Sequence, residues 1–484
     1  WRGEIRPAAV AEYLCGGYIT SPNSIWREVE KLEPGMWLEV DSKGATTLHQ
    51  YWNALTEAEA GAAEPFSSAD ESTVLDELDR LLSESVTTRM VSDVPLGAFL
   101  SGGIDSSLIV AYMQKFSAQP VRSFSISFSE SSYNEGPYAK AVAEYLGCIH
   151  TDERLDYARA IELLPEMPAI YGEPFGDSSQ LPTFLLCEVA RRQLTVALSG
   201  DGGDELFGGY GRYMGFLHVR RESFSGKPLR HALIRLLGST FSRETIDRVA
   251  ALLPPRVRPW NAGWRITEKA RELAYEPWQY YSRHYLSYWD RRAPMKDAGE
   301  VPHAVDGLDL GRLSLLGQAM LTDIKTYLPG DILTKVDRAS MANSLEVRPP
   351  MLDESLYRFA WRLPDDMRVR DGANKYALRQ ILYRYVPREL VDRPKMGFGV
   401  PVDDWLRGPL RDWAEELLAP AHITADGWLD GERVREIWER HKAGENWQYW
   451  LWVVLMFQAW LRWMASPHPV VAQKLPCRVL GGEA

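Results

Sequence analysis

The stretch Leu96-Gly97-Ala98-Phe99-Leu100-Ser101-Gly102-Gly103-Ile104-Asp105-Ser106-Ser107-Leu108-Ile109-Val110 starts as a short apolar run, breaks at a glycine pair and resumes as an apolar segment. That order predicts a buried strand, a tight turn and the start of a helix. Gly102 and Gly103 carry no Cβ, so the backbone of the turn can approach a ligand closely. Ser106 and Ser107 place hydroxyls where the first helical turn has unpaired N–H groups. Such a turn attracts anions, and the helix dipole adds to the attraction. Asp105 runs against that reading, because a carboxylate repels phosphate. A Mg²⁺ ion held between Asp105 and phosphate oxygens reconciles the two. An ordinary glycine turn before a serine-rich helix start is the alternative these residues leave open.

The flanking segments alternate between helical and strand patterns. Before the turn, Leu75, Leu78, Leu81, Leu82 and Val86 fall at three- and four-residue steps, as in a helix. After it come a second strand over 121–128, a helix over 135–146 ending at Gly147, a helix over 183–192 and a third strand over 195–198. This pattern predicts a doubly wound α/β domain with a mainly parallel sheet, whose ligands sit at the carboxyl ends of the strands. The first and third strands each run into Ser-Gly, at Ser101-Gly102 and Ser199-Gly200. The third continues as Ser199-Gly200-Asp201-Gly202-Gly203-Asp204-Glu205-Leu206-Phe207-Gly208-Gly209-Tyr210. Three carboxylates among five glycines suit a hard cation; a solvated acidic turn is the plainer reading.

The outer segments are less patterned. Residues 1–55 read as a small separate piece, with a short helix at 8–14 broken by Gly16-Gly17, then a hairpin across Ser42-Lys43-Gly44. Residues 56–73, rich in Ala, Glu and Ser, read as a linker, 74–466 as the main domain, and 467–484 as an irregular tail. Beyond about Tyr210 the main domain reads as mostly helical. Its most apolar segment, 447–464, is interrupted by Gln448, Gln458 and Arg462, so it is expected to be a buried helix and not a membrane span.

Composition limits the function classes. The chain has 484 residues, 45% of them hydrophobic and 25% charged, which describes a folded protein with an ample core. A net charge of -11 argues against nucleic acid as the main partner. Cys15, Cys148, Cys187 and Cys477 form no CxxC pair, so neither a zinc site nor a disulfide framework is expected, and a cytoplasmic setting is the simplest. No signal peptide is evident. The first residue, Trp1, suggests a fragment, a processed product or an incomplete gene model.

No Gly-Lys-Ser/Thr follows the first turn, so it is not a Walker loop. It resembles instead the SGGxDS signature of the PP-loop ATP pyrophosphatases. With the Asp201–Tyr210 loop, it resembles the synthetase domain of glutamine-dependent asparagine synthetase, whose relatives include β-lactam synthetases and lasso-peptide cyclases. Three further blocks agree in order: Leu328 to Arg338, Ser344 to Asp353, and Arg393-Pro394-Lys395-Met396-Gly397-Phe398-Gly399-Val400-Pro401. The resemblance implies ATP and Mg²⁺, with Ser101, Gly102, Gly103, Asp105 and Ser106 around the pyrophosphate, and Asp105 and Asp204 as metal ligands. Leu100, Ile126, Ser199 and Gly200 match positions around the nucleotide. Asp201 matches the acidic position linked to the β-aspartyl-AMP intermediate. Lys395 matches the lysine that neutralises transition-state phosphate; read alone, Lys395 and Arg348 are surface or salt-bridge residues.

The implied reaction joins aspartate and ammonia through an acyl-adenylate. Adenylation of another carboxylate (a peptide, a β-lactam precursor or a glycan) and a non-catalytic nucleotide-binding remnant are the alternatives. Tyr is common in β-lactam synthetases where this chain has Asp201, which disfavours that branch. Residues 1–52 resemble only the end of the family's glutaminase domain. Cys15 is internal and is not expected to be its nucleophile, so the glutamine-hydrolysing half is expected to be missing from this chain; a separate glutaminase or a missing N-terminal domain is left open as a partner, and the nitrogen source with it. A homodimer is left open.

Overall fold

The computed structural model describes residues 3–127, 134–154, 157–224, 228–251, 262–289, 294–295, 304–393 and 399–466. The sequence's first strand and second strand pair in parallel, and three further strands extend the sheet on both sides. The strands are a hairpin of β1 (Met36–Val40) and β2 (Thr46–Gln50), then β3 (Leu96–Phe99), β4 (Arg122–Ser127), β5 (Ile149–Arg154), β6 (Val196–Leu198) and β7 (Glu346–Arg348). The main sheet has the order β5-β4-β3-β6-β7, and all its pairs are parallel. Its centre is apolar, with Ala98, Phe124 and Leu198 fully buried. The chain steps outward from β3 to β4 and β5, then returns to place β6 on the other side of β3. That reversal opens a crevice at the carboxyl ends of β3 and β6, where an α/β sheet binds its ligands.

The doubly wound α/β architecture agrees with the sequence reading, and so do the helices Glu71–Arg89, Gly136–Leu146 and Gln180–Arg191. The strand count does not. The run at 195–198, read as the third strand, is the fourth of this sheet in chain order, because β5 precedes it, and β7 was also missed. Both are edge strands with polar sequences, Ile-His-Thr-Asp-Glu-Arg and Glu-Val-Arg, so no apolar alternation marks them.

Part of the stretch read as a linker is helix, Ala54–Ala63. Asn53 caps it, its side-chain oxygen accepting from the Leu55 and Thr56 N–H groups at 2.9 and 3.2 Å. The buried residues of the helix are Ala58 and Gly61, and a Cβ on Gly61 would lie 2.7 Å from the Trp361 Cβ. A face of such small residues shows no hydrophobic periodicity, yet it brings the helix hard against Glu354–Arg362.

The front of the chain is joined to the main core. Helix Pro7–Gly16 buries Ala9, Val10, Tyr13 and Leu14 in one cluster with Trp452 and Val453 of helix Gln448–Ala465. The Tyr13 hydroxyl donates to the Val453 carbonyl at 2.9 Å. Helix Gln448–Ala465 is buried as expected, and among the described residues no helix is long and apolar enough to cross a membrane. The segment read as an irregular tail, 467–484, lies outside the described residues.

Candidate active site

Because β3 and β6 are neighbours, the two Ser-Gly turns that follow them meet. The Leu100 N–H donates to the Phe124 carbonyl at 2.9 Å, extending β3 to the edge of the crevice. Gly102 then takes φ 73°, and a Cβ there would sit 2.7 Å from the Tyr138 carbonyl carbon. Only glycine fits that position without strain. Ser101 N–H donates to Ser106 Oγ at 3.2 Å, and the two hydroxyls lie 3.0 Å apart, closing the turn on itself. Helix Ile104–Phe116 begins here. On the facing loop, a Cβ on Gly200 would lie 2.8 Å from the Asp105 Cβ and 2.9 Å from the Ser106 nitrogen, so the two loops are in contact.

A cavity of about 530 Å³ opens on these turns, within the size range of small-molecule sites. Leu100, Ser101, Gly103, Asp105, Ser106, Ile126, Ser199, Gly200, Asp201 and Asp204 all line it; Gly102 shapes the turn behind the wall. Lys395 lies outside the described residues.

The side chain that binds the two acidic loops together was missed by sequence reasoning. Lys375 Nζ forms ion pairs with Asp105 Oδ2 and with Asp204 Oδ1, the latter at 2.7 Å. Burial alone would lower the Lys375 pKa, but the two carboxylates outweigh it and keep the ammonium charged. Lys375 follows the β8–β9 turn (β8 Val369–Arg370, β9 Ala373–Asn374) and caps helix Tyr376–Leu382 with φ 54°. A non-glycine residue in that region is strained, commonly by about 1–3 kcal/mol. A lone lysine in a polar turn carries no sequence signal for this role. Arg393 also reaches the first turn, donating to the Ser101 carbonyl at 3.2 Å and to Glu135 at 2.9 Å.

Asp105 and Asp204 therefore converge on one cation from different loops. Among the described residues no three His, Cys, Asp or Glu side chains form a complete metal cage. Two hard oxygen donors and an incomplete shell fit Mg²⁺, which keeps water or phosphate oxygens as its remaining ligands.

The far end of the cavity has a second buried lysine. Lys335 Nζ donates to Asp177 Oδ2 at 2.5 Å and to Ser179 Oγ at 2.8 Å, with Asp331 Oδ1 3.9 Å away. Asp331 and Lys335 are one turn apart, where a widened turn at Leu328–Leu333 passes into helix Thr334–Ala342. Burial would raise the Asp177 carboxyl, but Lys335 and its hydrogen bonds hold it down at about 2. Asp331 moves the other way, pushed well above the carboxylate range by burial and by the charge of Asp177. Asp201 lies between the two lysine clusters. Burial raises its carboxyl, with Asp105 and Asp204 adding and Lys335 opposing. Glu205, the third carboxylate of the acidic loop, accepts from the Tyr210 hydroxyl at 2.6 Å and is pushed up to about 7, chiefly by burial.

Residues 77–462 match the sequence profile of the family described as asparagine synthase. This chain belongs to the asparagine synthase family. It is similar to an asparagine synthetase (glutamine-hydrolyzing) of Bacillus subtilis, with 28% identity over 467 residues covering 94% of this chain and 69% of that protein. A further B. subtilis asparagine synthetase (glutamine-hydrolyzing) is 26% identical, covering 87% of this chain and 62% of that protein. An amidase of Gibberella zeae is 24% identical, covering 84% and 64%.

As a family member the chain is an ATP-dependent, asparagine synthase-type ligase acting on small molecules. Arg348, at the end of β7, donates to the Arg89 and Val91 carbonyls at 2.9 and 2.8 Å, a tie between segments. Cys15 is 3% exposed, and its carbonyl accepts the Tyr288 N–H at 2.6 Å.

Proposed function

We propose that this chain adenylates a carboxylate with MgATP and then transfers ammonia to it. A carboxylate oxygen attacks the α-phosphorus and the bond to the bridging oxygen breaks, so pyrophosphate leaves with that electron pair. Ammonia then adds to the acyl-adenylate carbonyl, AMP departs, and one proton is lost to give the amide. The observation that carries this reading is Lys375 bound to both Asp105 and Asp204 beside the Ser101–Ser106 turn. A fixed cation next to two Mg²⁺-competent carboxylates stabilises the negative charge that grows on departing pyrophosphate. Mg²⁺ bound at Asp105 and Asp204 would add further charge neutralisation. Ser101, Gly103 and Ser106 supply donors to the phosphates, Leu100, Ile126, Ser199 and Gly200 border the nucleotide, and Asp201 faces the reacting carboxylate. Lys395 is assigned by family resemblance to the leaving phosphate.

L-Aspartate, the acceptor implied by the names of the bacterial relatives, is the reference acceptor for the assay. The test follows pyrophosphate and AMP from MgATP with ammonium chloride and a panel of carboxylates. Carboxylate-dependent release of the two in equal amounts supports the reading; ADP and phosphate in their place overturn it. Amide formation with ammonium salts should also speed up as pH rises across the neutral range, because only unprotonated ammonia is nucleophilic.

A further inference from the structure

Among the described residues, every lysine and arginine on the cavity wall already faces a carboxylate, so none is left over for the second carboxylate of a free amino acid. Aspartate brings a second carboxylate and an ammonium group, and each needs an opposite charge to bind. Lys335 is already committed, held by Asp177 at 2.5 Å and by Ser179 at 2.8 Å. Both Asp177 oxygens are also taken. Oδ1 accepts the Ser179 N–H at 2.8 Å, and Oδ2 accepts the Ser179 hydroxyl at 2.7 Å as well as Lys335. The other lysine and arginine side chains on the described wall face the phosphate turn or neighbouring carboxylates: Lys375 on Asp105 and Asp204, Arg393 on Glu135, Arg379 on Asp392.

Four phenols join aliphatic and small polar residues such as Leu186, Thr183 and Val336 on the wall. Tyr210, Tyr288, Tyr327 and Tyr449 line the cavity alongside Asp177 and Lys335. Tyr288 and Tyr449 stack with centroids 6.2 Å apart, and Tyr327 meets Tyr210 edge-on at 5.9 Å. Two of these residues are held from behind, Tyr288 through its backbone and Tyr327 through its ring. The Tyr288 N–H donates to the Cys15 carbonyl, and the Tyr288 carbonyl accepts from Trp450 Nε1 at 2.5 Å. Tyr327 packs against Tyr18, and the Arg212 guanidinium lies 4.5 Å over its ring. Burial keeps both phenols protonated, and among the described residues neither hydroxyl has a hydrogen-bond partner. Rigid aromatic faces with spare hydroxyls suit a ring that shows C–H groups on its faces and hydroxyls at its rim.

We propose that the carboxylate adenylated here is borne on a hydroxylated ring, a sugar acid, and that Tyr288 and Tyr327 are the residues that select it. The proposal rests on the adenylation reading above and names its acceptor class. The reacting carboxylate points toward Asp201 and the phosphate turn, while the ring lies between the phenols.

The test compares D-glucuronate and D-galacturonate with L-aspartate, using the full chain, MgATP and ammonium chloride, with pyrophosphate release as the readout. At least one uronate should exceed aspartate tenfold or more in kcat/KM. Tyr288→Phe and Tyr327→Phe should each raise the uronate KM by about three- to tenfold, the size of one lost hydrogen bond, and leave the ATP KM unchanged. Aspartate equal to or better than both uronates overturns the acceptor proposal while adenylation stands. A uronate preference that neither phenylalanine variant alters overturns the assignment of the two tyrosines. Pyrophosphate release with no carboxylate at all, from protein that still binds MgATP, breaks the adenylation reading and this proposal together.

Discussion

At the phosphate end of the cavity most of the chemistry sits in two short runs, 101–106 and 199–204, each following a strand of the same sheet. At the acceptor end, Asp177, Tyr288, Tyr449 and the pair Tyr327 and Lys335 come from four separate segments of the chain. The difference follows from what each end is proposed to hold. Phosphate is bound largely by backbone N–H groups, small hydroxyls and one metal site, which a strand–turn–helix unit can supply locally. An acceptor is recognised by side chains that surround it, so they must arrive from several directions. A local site carries its signature in the sequence, whereas a convergent one does not.

The largest effects that would sharpen this contrast belong to the phosphate end. Lys375→Met should lower carboxylate-dependent pyrophosphate release by about 10²–10³-fold, the usual cost of removing one transition-state electrostatic partner. Asp105→Asn and Asp204→Asn should abolish turnover while shifting the thermal midpoint little. Lys375 retains one carboxylate in each variant, and the repulsion between the two acids is relieved. A midpoint drop of ten degrees or more in either aspartate variant would make that residue structural and erase the contrast.

Intermediate effects are expected in stability at the acceptor end. Lys335→Met leaves Asp177 and Asp331 buried without their cation, a change that costs about 3–5 kcal/mol in comparable buried pairs. Urea denaturation measures it, and Lys335→Met/Asp177→Asn should recover part of the loss. An unchanged midpoint for the single variant would show that the cluster is not a buried ion pair in solution.

The smallest predicted effect is a pH dependence of opposite sign at the two acids of that cluster. Asp177 is held at about 2 in the fold, below the ordinary carboxylate value near 3.9. Its contribution to stability is therefore fully present above about pH 4 and is lost as pH falls toward the folded value. Asp331 is raised, so its contribution is fully present below about pH 4 and is lost as pH rises through its folded value. Asparagine has no proton to lose. Asp331→Asn should thus be more stable than the parent at pH 7–8 and should lose that advantage near pH 4, as thermal midpoints across pH would record. Equal midpoint differences at both pH values would mean Asp331 is ionised in the fold.

The sequence alone determined the central strand–turn–helix units, the glycine turns and the acidic loop, because each depends on near neighbours in the chain. Gly102 is legible because one residue's φ decides it. The buried helix Gln448–Ala465 is legible because its apolar run is long and broken at only a few positions. Tertiary structure decided the rest. The polar edge strands β5 and β7 exist because central strands offer them hydrogen bonds. Helix Ala54–Ala63 packs through Ala58 and Gly61 against a tryptophan some three hundred positions away. Lys375 is an ordinary turn lysine until β3 and β6 bring Asp105 and Asp204 to it, and Tyr288 joins the cavity wall beside a front segment whose Cys15 carbonyl takes its N–H. Spacing along the chain records contacts one turn or one strand apart; only the closed fold decides which distant charges and rings share a wall.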